Sequence, residues 1–340
     1  MFEDEDSLPL RPEAADVEGA ATRNPAPAGA PPSATGRRRA IRGLVIFIFV
    51  ALAVYYPAGM MLAHQINDNP DFSPAATDAP AGGSAAVAMT AALLKREVDD
   101  AGWVANNPFF YPSWALDNMP NFQQGLRAAI FRFAIELTDQ IGRTRGSSQA
   151  DEDLETAAGE FKFPGDIWVW DPETSWLPQA TSEARYRRGI EHLERYNARL
   201  AAGDAVFDTR TDNLLNTLDR FAADLGSASA EIDQHVKDHT GFIDLDADDL
   251  FYNVKGRLYG YFMILSQLEH DFANVIAERQ LEAVWANMLA SLRTAATVDP
   301  WVVVNGAPDS QILPSHLVAQ GFYLLRGRTQ LREITNILLK

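Results

Sequence analysis

The chain has 340 residues, 47% of them hydrophobic, no cysteine and a formal net charge of −17. Without cysteine, disulfides, thiolate nucleophiles and Cys-based zinc or iron–sulfur sites are excluded. Without a basic stripe to neutralise phosphates, nucleic acid is excluded as a partner.

Residues 1–42 open on the acidic run Glu3-Asp4-Glu5-Asp6 and continue in Ala, Pro, Gly and polar residues. Such a composition cannot bury enough apolar surface to offset its ordering entropy, so a disordered tail is expected. The acidity of the chain lies elsewhere: beyond residue 43 there are 23 Lys/Arg against 39 Asp/Glu.

Residues 43–63, from Gly43-Leu44-Val45-Ile46-Phe47 to Met60-Met61-Leu62-Ala63, carry no charge. About 20 apolar residues suffice for a helix to cross a ~30 Å hydrocarbon core. Tyr55 and Tyr56 suit an interfacial layer. Arg37, Arg38, Arg39 and Arg42 precede the run, and no Lys or Arg follows until Lys95. The positive-inside rule then predicts a cytoplasmic tail and a body on the far side of the membrane. A cleaved signal peptide is the competing reading, but its n-region would be unusually long, the run exceeds the usual h-region and no clear small-x-small site follows it.

Residues 64–84, rich in Pro, Gly and small polar residues, read as a flexible linker, and residues 85–340 as one helical periplasmic domain. Its first helix is Ala-rich, over 85–100. A loop of aromatics and prolines, 103–114, follows, because Pro108 and Pro112 exclude a continuous helix. The next helix starts near Pro120, with Leu126, Ile130, Phe133, Leu137 and Ile141 on one face and Arg143, Arg145 and Gly146 at its end. Ile167–Trp170 and Trp301–Val304 are the two strand candidates, so at most a small β ribbon is expected.

In 182–202, 210–239 and 247–296, apolar residues alternate at spacings of three and four, as in Leu214, Leu218, Phe221, Leu225, Ala228 and Ile232. That spacing makes helices wrap around one another. Gly256 and Gly260 are the expected points of bending or breakage in the longest segment. A last helix runs from about Pro314 to the C-terminus. The fold class is mainly α: one transmembrane helix, then a helical bundle with long antiparallel helices.

Chemistry is less legible. His235 and His239, four apart on a helix, have the spacing of zinc ligands. No Glu lies between them, and only His270 or Glu269 offer a third ligand, so the polar end of a helical seam is the plainer reading. Asp244-Leu245-Asp246-Ala247-Asp248 resembles the start of a calcium loop, but Asp249 stands where Gly is needed and Lys255 where Glu is needed. Acids before a helix more simply cap it. Trp103, Trp114, Trp168, Trp170 and Trp176, with Asp117, Asp166 and Asp171, would suit a sugar groove or simply cover the end of a bundle. Gly256 and Gly260 favour close helix approach over membrane dimerisation. No cofactor fingerprint is present.

Four strings carry a family resemblance: Trp103-Val104-Ala105-Asn106-Asn107-Pro108-Phe109-Phe110, Leu116-Asp117-Asn118-Met119-Pro120-Asn121-Phe122-Gln123, Leu137-Thr138-Asp139-Gln140-Ile141-Gly142-Arg143, and the Asp299–Pro308 segment beginning Asp-Pro-Trp-Val-Val-Val-Asn-Gly. With them, residues 43–340 resemble a proteobacterial membrane-anchored family, domain of unknown function 2333. The resemblance implies a Gram-negative inner-membrane protein and supplies no catalytic residues. The expected partners are the bilayer, through 43–63, and an envelope protein or a second copy of the chain. The expected function is a non-enzymatic interaction or assembly module, with an envelope hydrolase, zinc-dependent or glycan-cleaving, as the alternative.

Overall fold

The computed structural model describes residues 34–340, except 77, 143–149, 171–175, 239–243 and 309. Arg143, Arg145, Gly146, Asp171 and His239 therefore lie outside the described residues. The chain divides into two compact units, Met1–Ala51 and Leu52–Lys340, with the boundary inside the first helix.

That helix, α1 (Ala34–Ala63), is long and apolar enough to cross a membrane, and its apolar window has a mean hydropathy of 2.2 with none of it buried. Pro57 sits inside it. The lost backbone bond is of a kind that membrane helices accommodate.

The second unit is built from α2 (Ala85–Lys95), α3 (Asn118–Glu136), α4 (Glu152–Phe161), α5 (Ser182–Ala202), α6 (Thr211–Asp238), α7 (Leu245–Asp271), α8 (Ala273–Glu278), α9 (Glu282–Ala296) and α10 (His316–Leu338). No strand occurs among the described residues; the expected ribbon reduces to one antiparallel bridge, Asn305 to Ser315. Single π-helical turns, Arg96–Asp100 and Leu137–Ile141, end α2 and α3.

The apolar spacing seen in the sequence does bury one face of each long helix: Leu126, Ile130 and Phe133 of α3, and Leu214, Leu218, Phe221, Leu225 and Ile232 of α6, are all within the core. Consecutive helices α6 and α7 run antiparallel, since His235 near the end of α6 meets Asp244 at the start of α7 while Asp224 takes the Tyr261 hydroxyl hydrogen bond farther along. α9 and α10 are also antiparallel, with Leu292 against Gly327 and Ser291 bonded to Gln330.

The longest segment breaks, though not at its glycines. Gly256 and Gly260 lie inside α7, and the helix stops at Phe272. α8 then ends at Gln280, which has φ +53, with Leu281 N–H bonded to the Ile276 carbonyl and Gln280 N–H to that of Ala277. That is a Schellman C-cap with glutamine in the position glycine usually takes. Gly256 serves instead to let α7 touch α3. A Cβ there would run into the Phe122 carbonyl, and one at Gly125 into that of Asn253.

The described residues of 64–84 are irregular, as the segment's Pro and Gly content implies, yet the body holds them at many points. Arg96 donates to the Asn67 carbonyl at 2.7 Å and Tyr259 to that of Asn69 at 2.8 Å. Lys255 pairs with Asp68 at 2.9 Å and Arg293 with Asp71 at 3.0 Å. At the other end, Ser84 caps α2 and bonds Asp271, the last residue of α7. The segment therefore runs beside α7 from Lys255 to Asp271, a rise of roughly 24 Å at 1.5 Å per residue.

Candidate membrane-docking face

The C-terminal turns of α1 are gripped by the aromatic loop. Tyr55 Oη donates to the Phe110 carbonyl at 3.0 Å and Tyr56 Oη to the Phe109 carbonyl at 2.7 Å. One turn on, Gly59 lies so close to Pro112 that a Cβ would collide with its ring. Both tyrosines belong to the uncharged 43–63 run, so the loop is bonded directly to that run.

The grip leaves much of the loop's apolar surface outside. Phe109 is 67% exposed and Trp114 59%, with Phe110 and Tyr111 also exposed. Phe110 packs edge-on against Trp168, linking this loop to the second aromatic stretch. Trp103 behaves differently: it is buried against Tyr186 and donates its Nε1 hydrogen to the Gly165 carbonyl at 2.7 Å.

A second exposed set lies near the same end. Lys255, itself buried, reaches Asp299 at 3.3 Å as well as Asp68. Two residues beyond Asp299, Trp301 is fully exposed, as are Val302 and, farther on, Ile312 in large part.

The acids that sequence reading singled out are placed as follows. Asp117 lies beside Asp248 and Asp249; burial first, then these like charges, pushes the Asp248 carboxyl up to about 6. Asp166 lies by Tyr186. Asp244 caps α7 through Ala247 N–H at 3.1 Å and also accepts from Asn305 at 3.0 Å. Burial works to raise the Asp244 carboxyl, but those bonds and one from His235 outweigh it and hold it below its ordinary value.

His235 places Nε2 2.9 Å from Asp244. It lines a surface depression of about 690 Å³ with Ser227, Glu231, Gln234 and Asp238. Among the described residues, no three His, Cys, Asp or Glu side chains are grouped to hold a metal ion.

The profile of a bacterial family, described as uncharacterized protein conserved in bacteria (DUF2333), matches residues 38–246. The chain belongs to the DUF2333 family. No curated protein and no solved structure matches it. The matched region of this DUF2333 protein takes in α1 from Arg38 onward, both tyrosines and the whole aromatic loop. The exposed Trp301 set lies outside the match.

Sequence reasoning singled out Tyr55 and Tyr56. It did not find their acceptors, because a backbone carbonyl leaves no mark in side-chain composition.

Proposed function

We propose that this protein is a single-pass protein of the Gram-negative inner membrane, with its tail in the cytoplasm and its helical body in the periplasm. Its role there is that of an interaction or assembly module, not an enzyme. The observation that carries the membrane part is the uncharged helix flanked by Arg37, Arg38, Arg39 and Arg42 on one side and clasped on the other by the body's aromatic loop. An acidic body stays soluble and is weakly repelled by anionic headgroups.

The interaction part rests on α10. Val318, Phe322 and Leu325 recur at spacings of four and three and stay exposed, Phe322 at 61%. A row of that kind on one helix face is the usual form of a helix-packing partner site.

A photoreactive phenylalanine analogue at position 322, activated in living cells, is expected to give a discrete protein adduct identifiable by mass spectrometry. The same analogue in place of the exposed Asp219 on α6 is expected to give none. No adduct at 322, together with release of cell-wall fragments by the purified chain, would turn the reading toward the hydrolase alternative.

A further inference from the structure

We infer that the base of the body is itself a lipid-binding foot, seated in the headgroup–acyl boundary of the leaflet from which α1 emerges. This rests on the membrane-spanning reading of α1 and goes beyond it: the helix alone would tether the body, whereas the foot fixes it against the surface.

The 102–116 stretch, from Gly102 to Leu116, contains no charged residue, between Asp100 on one side and Asp117 on the other. Its backbone is irregular apart from the 3-10 turn Pro112–Ala115, and part of it is satisfied from within. Asn107 N–H bonds the Val104 carbonyl, Tyr111 N–H that of Pro108, Trp114 N–H that of Tyr111 and Leu116 N–H that of Ser113. The carbonyls of Phe109 and Phe110 are taken by the α1 tyrosines, and Asn107 Nδ2 bonds Ser113 Oγ at 2.6 Å. Irregular backbone at membrane depth is tolerated only when its polar groups are paired in this manner. What such a loop then turns outward is Phe, Tyr and Trp, the residue types that partition to the interface.

The occupant is lipid because the loop is continuous with the helix. Phe109 and Phe110 are hydrogen-bonded to residues of the uncharged run, so they share its solvent. Trp301, Val302 and Ile312 supply a second apolar edge, held to the base through Lys255 and its two partners Asp68 and Asp299. Charge selects the lipid. No Lys or Arg occurs between Arg42 and Lys95, and the cations near the base, Lys255 and Arg293, are already paired with Asp68, Asp299 and Asp71, so none is left over for an anionic headgroup and the headgroup is zwitterionic.

The test uses the full chain reconstituted in phosphatidylcholine vesicles whose acyl chains carry bromine either near the headgroup or near the methyl end. Shallow bromines are expected to quench tryptophan emission more than deep ones, and Trp114→Phe with Trp301→Phe is expected to remove most of that difference. Both residues are exposed, so the double variant keeps the core intact, and Trp285 remains as an internal reference. Adding anionic lipid is expected to leave the pattern unchanged. If the chain floats with the vesicles and resists alkaline extraction, yet wild type and double variant are quenched alike, the foot is wrong and the tether stands. If quenching requires anionic lipid, the zwitterionic assignment is wrong. If the chain does not float at all, tether and foot fall together.

Discussion

Replacing Arg96 with methionine is expected to destabilise the body by about 3–5 kcal/mol, because it strips a buried carboxylate of its partner. Glu97 is wholly buried and Arg96 nearly so. Arg96 meets Glu97 Oε1 through Nε at 3.0 Å and Nη2 at 2.7 Å, and Gln123 donates to the other oxygen at 3.2 Å. Burial pushes the Glu97 carboxyl up, while Arg96 and Gln123 oppose it. Arg96 also donates to Tyr259 Oη at 2.9 Å, and its guanidinium lies over the Phe72 ring at 4.8 Å. A paired substitution, Arg96→Met with Glu97→Leu, removes both charges and is expected to recover most of the loss. Denaturant unfolding of the full chain in nanodiscs reads both. Equal stability of the single and paired variants would mean that the stranded charge is not what matters.

Two glycines set the second large effect. In an exposed helix, Gly→Ala stabilises by about 1 kcal/mol through propensity. At Gly125 and Gly256 the sign is expected to invert, because each added Cβ meets a carbonyl of the facing helix. Overpacking costs typically 1–3 kcal/mol per site, and a carbonyl oxygen cannot turn aside as a side chain can. Gly125→Ala with Gly256→Ala is therefore expected to lower Tm by roughly 6–10 °C. Gly159→Ala is the control: it has open space around it on the exposed face of α4 and is expected to hold or raise Tm. A thermal scan of the two proteins side by side checks the contrast, and equal Tm values would remove close approach as the reason for these glycines.

Those glycines also show what could be read from the sequence and what could not. Leu214 to Ile232 recur with the helical period, so α6 and its buried face were legible. Gly256 looks the same in sequence whether it breaks a helix or admits a neighbour. Only the position of Phe122 on α3, over a hundred residues away, decides between the two. The actual interruptions are at Phe272 and at Gln280, the latter a residue with no intrinsic preference for positive φ, held there by backbone bonds and by burial of Leu281. Residues 64–84 looked flexible because their own composition offers little to hold them. Arg96, Lys255 and Arg293 supply the holding groups from distant parts of the chain.

The joining of α1 to the aromatic loop was legible by halves. Tyr55, Tyr56 and the 103–114 loop each stood out in composition, but their joining is made of carbonyls and of a glycine pressed against Pro112. His235 stood out in the sequence by its spacing from His239. Its link to Asp244 joins the end of α6 to the cap of α7, which side-chain spacing does not reveal.

The central claim, that the body lies across the membrane from the arginine-flanked tail, is tested most directly by thiol labelling, for which a cysteine-free chain is well suited. Thr35→Cys and Ser227→Cys each introduce one exposed thiol, the first just before the arginines and the second on α6. In spheroplasts, a membrane-impermeant maleimide is expected to label position 227 at once and position 35 only after the membrane is permeabilised. Labelling of position 35 in intact spheroplasts, or of position 227 only after permeabilisation, would contradict the account.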